Sequence, residues 1–154
     1  MLQNGPYQGE GFTILTIQCA LIEFLAALKR GWNYRLGAGW GQNDEYSQTK
    51  DLYIDFLVNE APFSTVVTSA AESTTFYKDV RCALVHEAQT KNKWKVWAGS
   101  AGSLAMDFQR RYVNRDRLQD LIDIYVADYG LALTMSPALQ QAFLRKFRYI
   151  HSHS

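Results

Sequence analysis

The sequence is poor in several features that would fix its class at once. It has two cysteines in 154 residues, and neither Cys19 nor Cys82 lies in CxxC spacing or beside a histidine cluster. That excludes a disulfide framework and an ordinary zinc site. No basic start followed by an apolar core opens the chain in "MLQNGPYQGEG", so no secretion signal is read there. The longest apolar stretch, "CALIEFLAAL" from Cys19, is broken by Glu23 and falls short of the roughly 20 residues that span a bilayer. Charge of one sign is also missing: 16 basic against 15 acidic residues leave a net +1, without the strong field that draws a basic protein to nucleic acid or membrane. No internal repeat, low-complexity tract or linker divides the chain. The expectation is one soluble domain over residues 1–154, in a reducing cytoplasm, with no membrane attachment, metal or cofactor.

What is present is apolar and helical. With 47% hydrophobic and 14% aromatic residues, the chain can bury one sizeable core. A first helix is predicted from about Phe12 to Arg30, apolar on nearly every side, with Gly31 as its stop; such a helix belongs in the middle of a bundle. The glycine-rich stretch Gly31 to Tyr46 carries no period and reads as a loop with anchored rings. Leu52, Tyr53, Phe56 and Leu57 mark a second helix from about Ser47 to Asn59. Ser69 and Glu72 form a capping-box pattern before a third, which runs to the polar "TKNK" at Thr90. After "WKVW", read as a small strand, Asn114 caps a fourth helix and Ser136-Pro137 opens a fifth, with the "HSHS" tail fraying. The fold expected is all-α: an up-and-down bundle of about five helices with a small extended hairpin or loop excursion near Trp94.

The third helix raises the question of function. "VRCALVHEAQ", Val80 to Gln89, places an arginine and a histidine inside an apolar run. On a helical wheel Phe76, Tyr77, Val80, Ala83, Leu84 and Ala88 share the inward face. Arg81 falls on one flank of it and His86, about 140° round, on the other. Lys78, Cys82, Val85 and Gln89 lie between them on a mixed face. A second copy of the helix across a two-fold axis would cover that face and bring two arginines and two histidines together. Such a site suits RNA cleavage. An imidazole titrating near neutrality moves the proton of a ribose 2′-hydroxyl or of the leaving 5′-oxygen, and a guanidinium stabilises charge on the phosphate. That division of labour requires no metal.

The Arg-x4-His arrangement "RCALVH" late in a long helix, within "FYKDVRCALVHEAQTKNKW" from Phe76 to Trp94, resembles the HEPN superfamily of helical-bundle proteins, and in particular its small bacterial members. The resemblance implies a metal-independent endoribonuclease working as a homodimer, with Arg81 and His86 as the catalytic pair and RNA as substrate. It also implies a setting in toxin–antitoxin, phage-defence or RNA-processing systems, hence an antitoxin or other protein partner. Cys82 stands where the family commonly has a polar residue. Lys78, Cys82, Gln89 and Lys91 are the candidate substrate-binding side chains around the pair.

Other readings of the same residues stay open. Arg81 is a candidate structural partner for Glu23, since an unpaired charge in the first helix is costly. Cys82 with His86 at i+4 is the runner-up nucleophile. Lys91, Lys93 and Lys95, interleaved with Trp94 and Trp97, fit single-stranded RNA or, equally, a solvated face over a core. The bundle could also bind a nucleotide or a partner protein without catalysis. The pairs Asp51/Asp55 and Asp120/Asp123 lack the Glu-x-x-His partner that a di-iron site needs. Basic groups are unevenly spread: residues 1–90 hold 6 basic and 10 acidic side chains, residues 91–154 hold 10 and 5.

Overall fold

A computed structural model describes residues 10–99 and 102–153. Most of the "MLQNGPYQGEG" start, part of the glycine-serine turn after Trp97 and the last residue of the tail lie outside the described residues.

Helix α1 (Glu10–Arg30) is the spine, burying Leu15, Cys19, Ile22, Leu25 and Ala26 at helical spacing. It ends in a Schellman motif: the Gly31 amide donates to the Leu28 carbonyl and the Trp32 amide to that of Ala27, each at 3.0 Å. Gly31 adopts φ 67°, and a Cβ there would sit 2.6 Å from the Ala142 carbonyl oxygen. The stop signal is therefore also a close approach to the last helix. Helix α2 (Thr49–Asn59) packs Leu52, Tyr53, Phe56 and Leu57 inward. Helix α3 (Ala70–Phe76) starts at Ser69, whose hydroxyl accepts from the Glu72 amide while the Glu72 carboxylate accepts from the Thr68 amide. It continues without a break through a π turn (Tyr77–Cys82) into α4 (Ala83–Glu87). Helix α5 (Arg115–Met135) is capped by Asn114, which accepts from the Asp116 and Arg117 amides. Helix α6 (Pro137–Ser152) is capped by Ser136 with Pro137 in its first turn. Counting α3, the π turn and α4 as one rod, five helical rods among the described residues surround a core that includes Tyr53, Phe63, Phe76, Leu118 and Ile122.

The bundle is as expected, but the chain is not purely all-α. Strands β1 (Asn33–Tyr34) and β2 (Glu45–Tyr46) pair in parallel inside the glycine-rich stretch read as a loop. The excursion near Trp94 is more than a hairpin: β4 (Met106–Asp107) and β5 (Tyr112–Asn114) form a short antiparallel hairpin, and β3 (Lys95–Trp97) adds in parallel on the other side of β5. Strands of two or three residues are too short to display alternation, so no periodic signal reveals them. Tyrosines and tryptophans hold them in place. Trp94 is buried against Phe76 and Phe108, and Trp97 stacks on Tyr112 with centroids 4.2 Å apart.

Two further expectations change. Helix α1 is not covered all round: the stripe Thr13, Ile17, Ala20, Phe24 faces outward, with Ile17 63% exposed. Its 21 residues, at a mean hydropathy of 1.9 over the most apolar window, do meet the length and composition of a membrane span, and 39% of that window is buried within the fold. The tail is also more ordered than its composition suggests, since α6 runs through His151, whose ring stacks on Phe147.

Candidate functional site

The π turn determines where Arg81 points. Its hydrogen bonds reach five residues back rather than four, which adds a residue to one turn of the rod and shifts the faces on either side of it. Tyr77 and Val80 both stay in the core, and Arg81 is turned toward α1. There its Nη2 donates to Oε2 of Glu23 at 2.7 Å, with the two side chains 19% and 17% exposed. The guanidinium carbon also lies 5.4 Å from the centre of the Tyr77 ring. Burial alone would lower the Arg81 pKa, but the Glu23 carboxylate, as charge and as acceptor, more than reverses this and holds it above its ordinary value. The structural pairing expected from Glu23 is thus present.

The ion pair forms one wall of an open pocket of about 330 Å³ between α1, α4 and α6. Ala20, Phe24, Ala27 and Val85 give it apolar sides, and Tyr46 and Lys146 complete its polar lining. Burial, with the Glu23 carboxylate adding to it, pushes the Tyr46 phenol up to about 12. Cys19, also at the pocket, is pushed up to about 12, chiefly by burial, so its thiol stays protonated and unreactive.

Lys146 was not picked out from sequence. It is 8% exposed, and its ammonium donates to the Trp32 carbonyl at 2.9 Å. Its neighbour Arg145 donates to the carbonyls of Gly31 and Arg30. Two cations of α6 thus satisfy carbonyls left open at the end of α1. The signal was there in composition: no acidic residue follows Asp128, so the three cations of "FLRKFRY" have no carboxylate on their own helix.

The remaining motif residues are spread out. His86 directly follows the pocket residue Val85, but its ring is exposed, does not line the cavity, and has no hydrogen bond or ion pair among the described residues. Lys78 is exposed and outside the pocket, while Cys82 is half-buried. Helix α4 ends at Glu87, with Ala88 at φ 54°, so Gln89 and Lys91 lie beyond it. Lys91 pairs with Glu87 at 2.5 Å, and its amide donates to the Asp79 carbonyl, folding the "TKNK" segment back onto the π turn. One copy of the chain therefore brings Arg81 to a pocket, sets His86 near its rim, and does not gather Lys78, Gln89 and Lys91 around them. Among the described residues no three His, Cys, Asp or Glu side chains are grouped as a metal site.

Comparison with family models, curated proteins and solved structures finds no match to this chain. The assignment of function therefore rests on the residues and their geometry.

Proposed function

We propose that the protein is a HEPN-like, metal-independent endoribonuclease that works as a homodimer in the cytoplasm. The observation that carries this reading is the position of His86: an exposed imidazole without a hydrogen-bond or ion-pair partner among the described residues, next to Val85 at the mouth of the Arg81 pocket. Around that mouth Ile17, Phe24 and Val85 leave apolar surface uncovered. A second copy laid over this stripe would bury it and set two imidazoles beside two Arg81 pockets.

In that cleft His86 takes the proton from a ribose 2′-hydroxyl as the oxygen attacks phosphorus. A protonated imidazole, from the second copy, gives a proton to the departing 5′-oxygen. Arg81 retains unused N–H donors while paired with Glu23, and these stabilise the charge developing on the phosphate. Members of the superfamily occur in toxin–antitoxin and phage-defence systems, and the same reading gives this protein an antitoxin or other protein partner.

The test is cleavage of RNA by purified protein in EDTA. Activity should fall by at least about a hundredfold in His86→Ala, the scale of a lost general acid or base, and comparably in Arg81→Ala. Undiminished cleavage by both variants would point to a contaminating nuclease and overturn the assignment.

A second reading has its own observation. Because Arg81 is already matched by Glu23, the pair serves equally well as scaffold for a bundle that binds a nucleotide or protein without cleaving anything. In that case RNA remains intact with every variant, while Ile17→Glu shifts the monomer–dimer balance in sedimentation.

A further inference from the structure

The pocket's charge arithmetic leads beyond RNA. Three charged side chains line it among the described residues, the cations Arg81 and Lys146 and the anion Glu23. Arg81 and Glu23 neutralise one another. Lys146 is left as a buried ammonium with no carboxylate among the described residues; its polar contact is the Trp32 carbonyl, and the rings of Phe24 and Tyr149 lie about 6 Å away. A buried cation satisfied only by a neutral carbonyl is costly, and burial indeed lowers its pKa. Two of its three N–H bonds remain for another acceptor.

We propose that this pocket binds a small organic monocarboxylate, its carboxylate paired with Lys146 and its apolar body lying against Phe24, Ala20 and Ala27. One surplus positive charge is balanced by one negative charge. A phosphate monoester dianion would leave the cavity net negative and would face the Glu23 carboxylate. The lining is otherwise mostly aliphatic and aromatic, and a volume of about 330 Å³ stands at the small end of ligand cavities, roughly 300–1,000 Å³. The cavity is built within one chain. Binding therefore requires neither His86 nor any residue of a second copy, and it stands or falls apart from the cleavage reading.

The experiment is titration of the full chain with benzoate and with hexanoate, followed by calorimetry and by tryptophan fluorescence. Benzyl alcohol, hexanol and inorganic phosphate serve as comparison probes. Saturable binding of a carboxylate is expected, weaker by about tenfold or more for the neutral alcohols, the scale of a lost charge-assisted hydrogen bond. Lys146→Met should lose the same factor, and Lys146→Arg should retain part of it. Ala20→Trp fills the cavity from its exposed rim while keeping the Lys146 side chain, and should abolish binding, so the proposal is tested even if the Lys146 variants do not fold. His86→Ala should bind as the parent does. The proposal is overturned by the absence of saturable carboxylate binding, by alcohols or phosphate binding as tightly, or by binding that survives Ala20→Trp.

Discussion

Arg81 and Lys146 face the same pocket from two different helical rods, and they are held in opposite ways. Arg81 comes from the π turn and meets a carboxylate, so its charge is matched within the fold. Lys146 comes from α6 and, among the described residues, has as its polar contact a carbonyl at the end of α1. The first arrangement is complete as it stands, and removing either partner leaves a half-buried charge. The second has an unused capacity, because an ammonium at a helix end is only partly satisfied by that helix's carbonyl dipoles. In one cavity the matched pair thus supplies rigidity and the unmatched cation supplies affinity.

The comparison breaks most completely at Gly31, because both α6 cations reach their carbonyls only if α6 lies against the end of α1. Gly31→Ala forces a side chain into φ 67° and places a methyl 2.6 Å from the Ala142 carbonyl. Strain and overpacking together should cost about 2–4 kcal/mol, lowering the melting temperature by about 5–15 °C. Lys146 should lose its protection along with it, measurable as faster modification by an amine reagent. A melting temperature within about 2 °C of the parent would mean that α6 is not clamped through this contact.

That dependence also marks what the sequence could and could not reveal. The helices were legible because each carries its own period and its own ends: Gly31, Ser69, Asn114 and Ser136 all act as the stops and caps their residue types suggest. The pairing of Arg81 with Glu23 was legible as one of several readings, from the cost of leaving either charge alone. The π turn was not, since nothing in "YKDVRC" distinguishes an i→i+5 bond from an i→i+4 bond, and a regular wheel therefore placed Arg81 and His86 as two flanks of one face. Lys146 was missed for a different reason. Its role comes from a contact with Trp32, 114 positions away, and the residue itself reads as an ordinary helix-surface cation.

The two cations should also separate when their partners are removed. Glu23→Ala strands the Arg81 guanidinium and should cost about 2 kcal/mol, as for a lost hydrogen bond between charged groups. Glu23→Gln keeps an acceptor and should cost about half as much. Lys146→Met loses one hydrogen bond but also relieves a buried charge, so its unfolding free energy from urea melts should stay within about 1 kcal/mol of the parent. Equal losses for Glu23→Ala and Lys146→Met would abolish the distinction between a matched and an unmatched cation.

The smallest effect concerns Tyr46, which reports on the same cavity from its neutral side. Burial first, and the nearby Glu23 carboxylate second, raise its pKa from 10.0 to about 12. The folded protein therefore keeps a proton that the unfolded chain releases. The associated stability is fully present below pH 10 and is lost as pH rises from 10 towards 12. Tyr46→Phe removes this share, so its stability should decline less steeply across that window, by roughly 1–2 kcal/mol at the alkaline end. The alkaline limb should not vanish, because Tyr53, Tyr77, Tyr125 and Tyr129 are also raised, each chiefly by burial. Denaturant melts of parent and variant below pH 10 and near pH 12 give the difference directly. Parallel curves would mean that the Tyr46 phenol ionises freely, and hence that the pocket beside the Arg81–Glu23 pair is wetter than its lining implies.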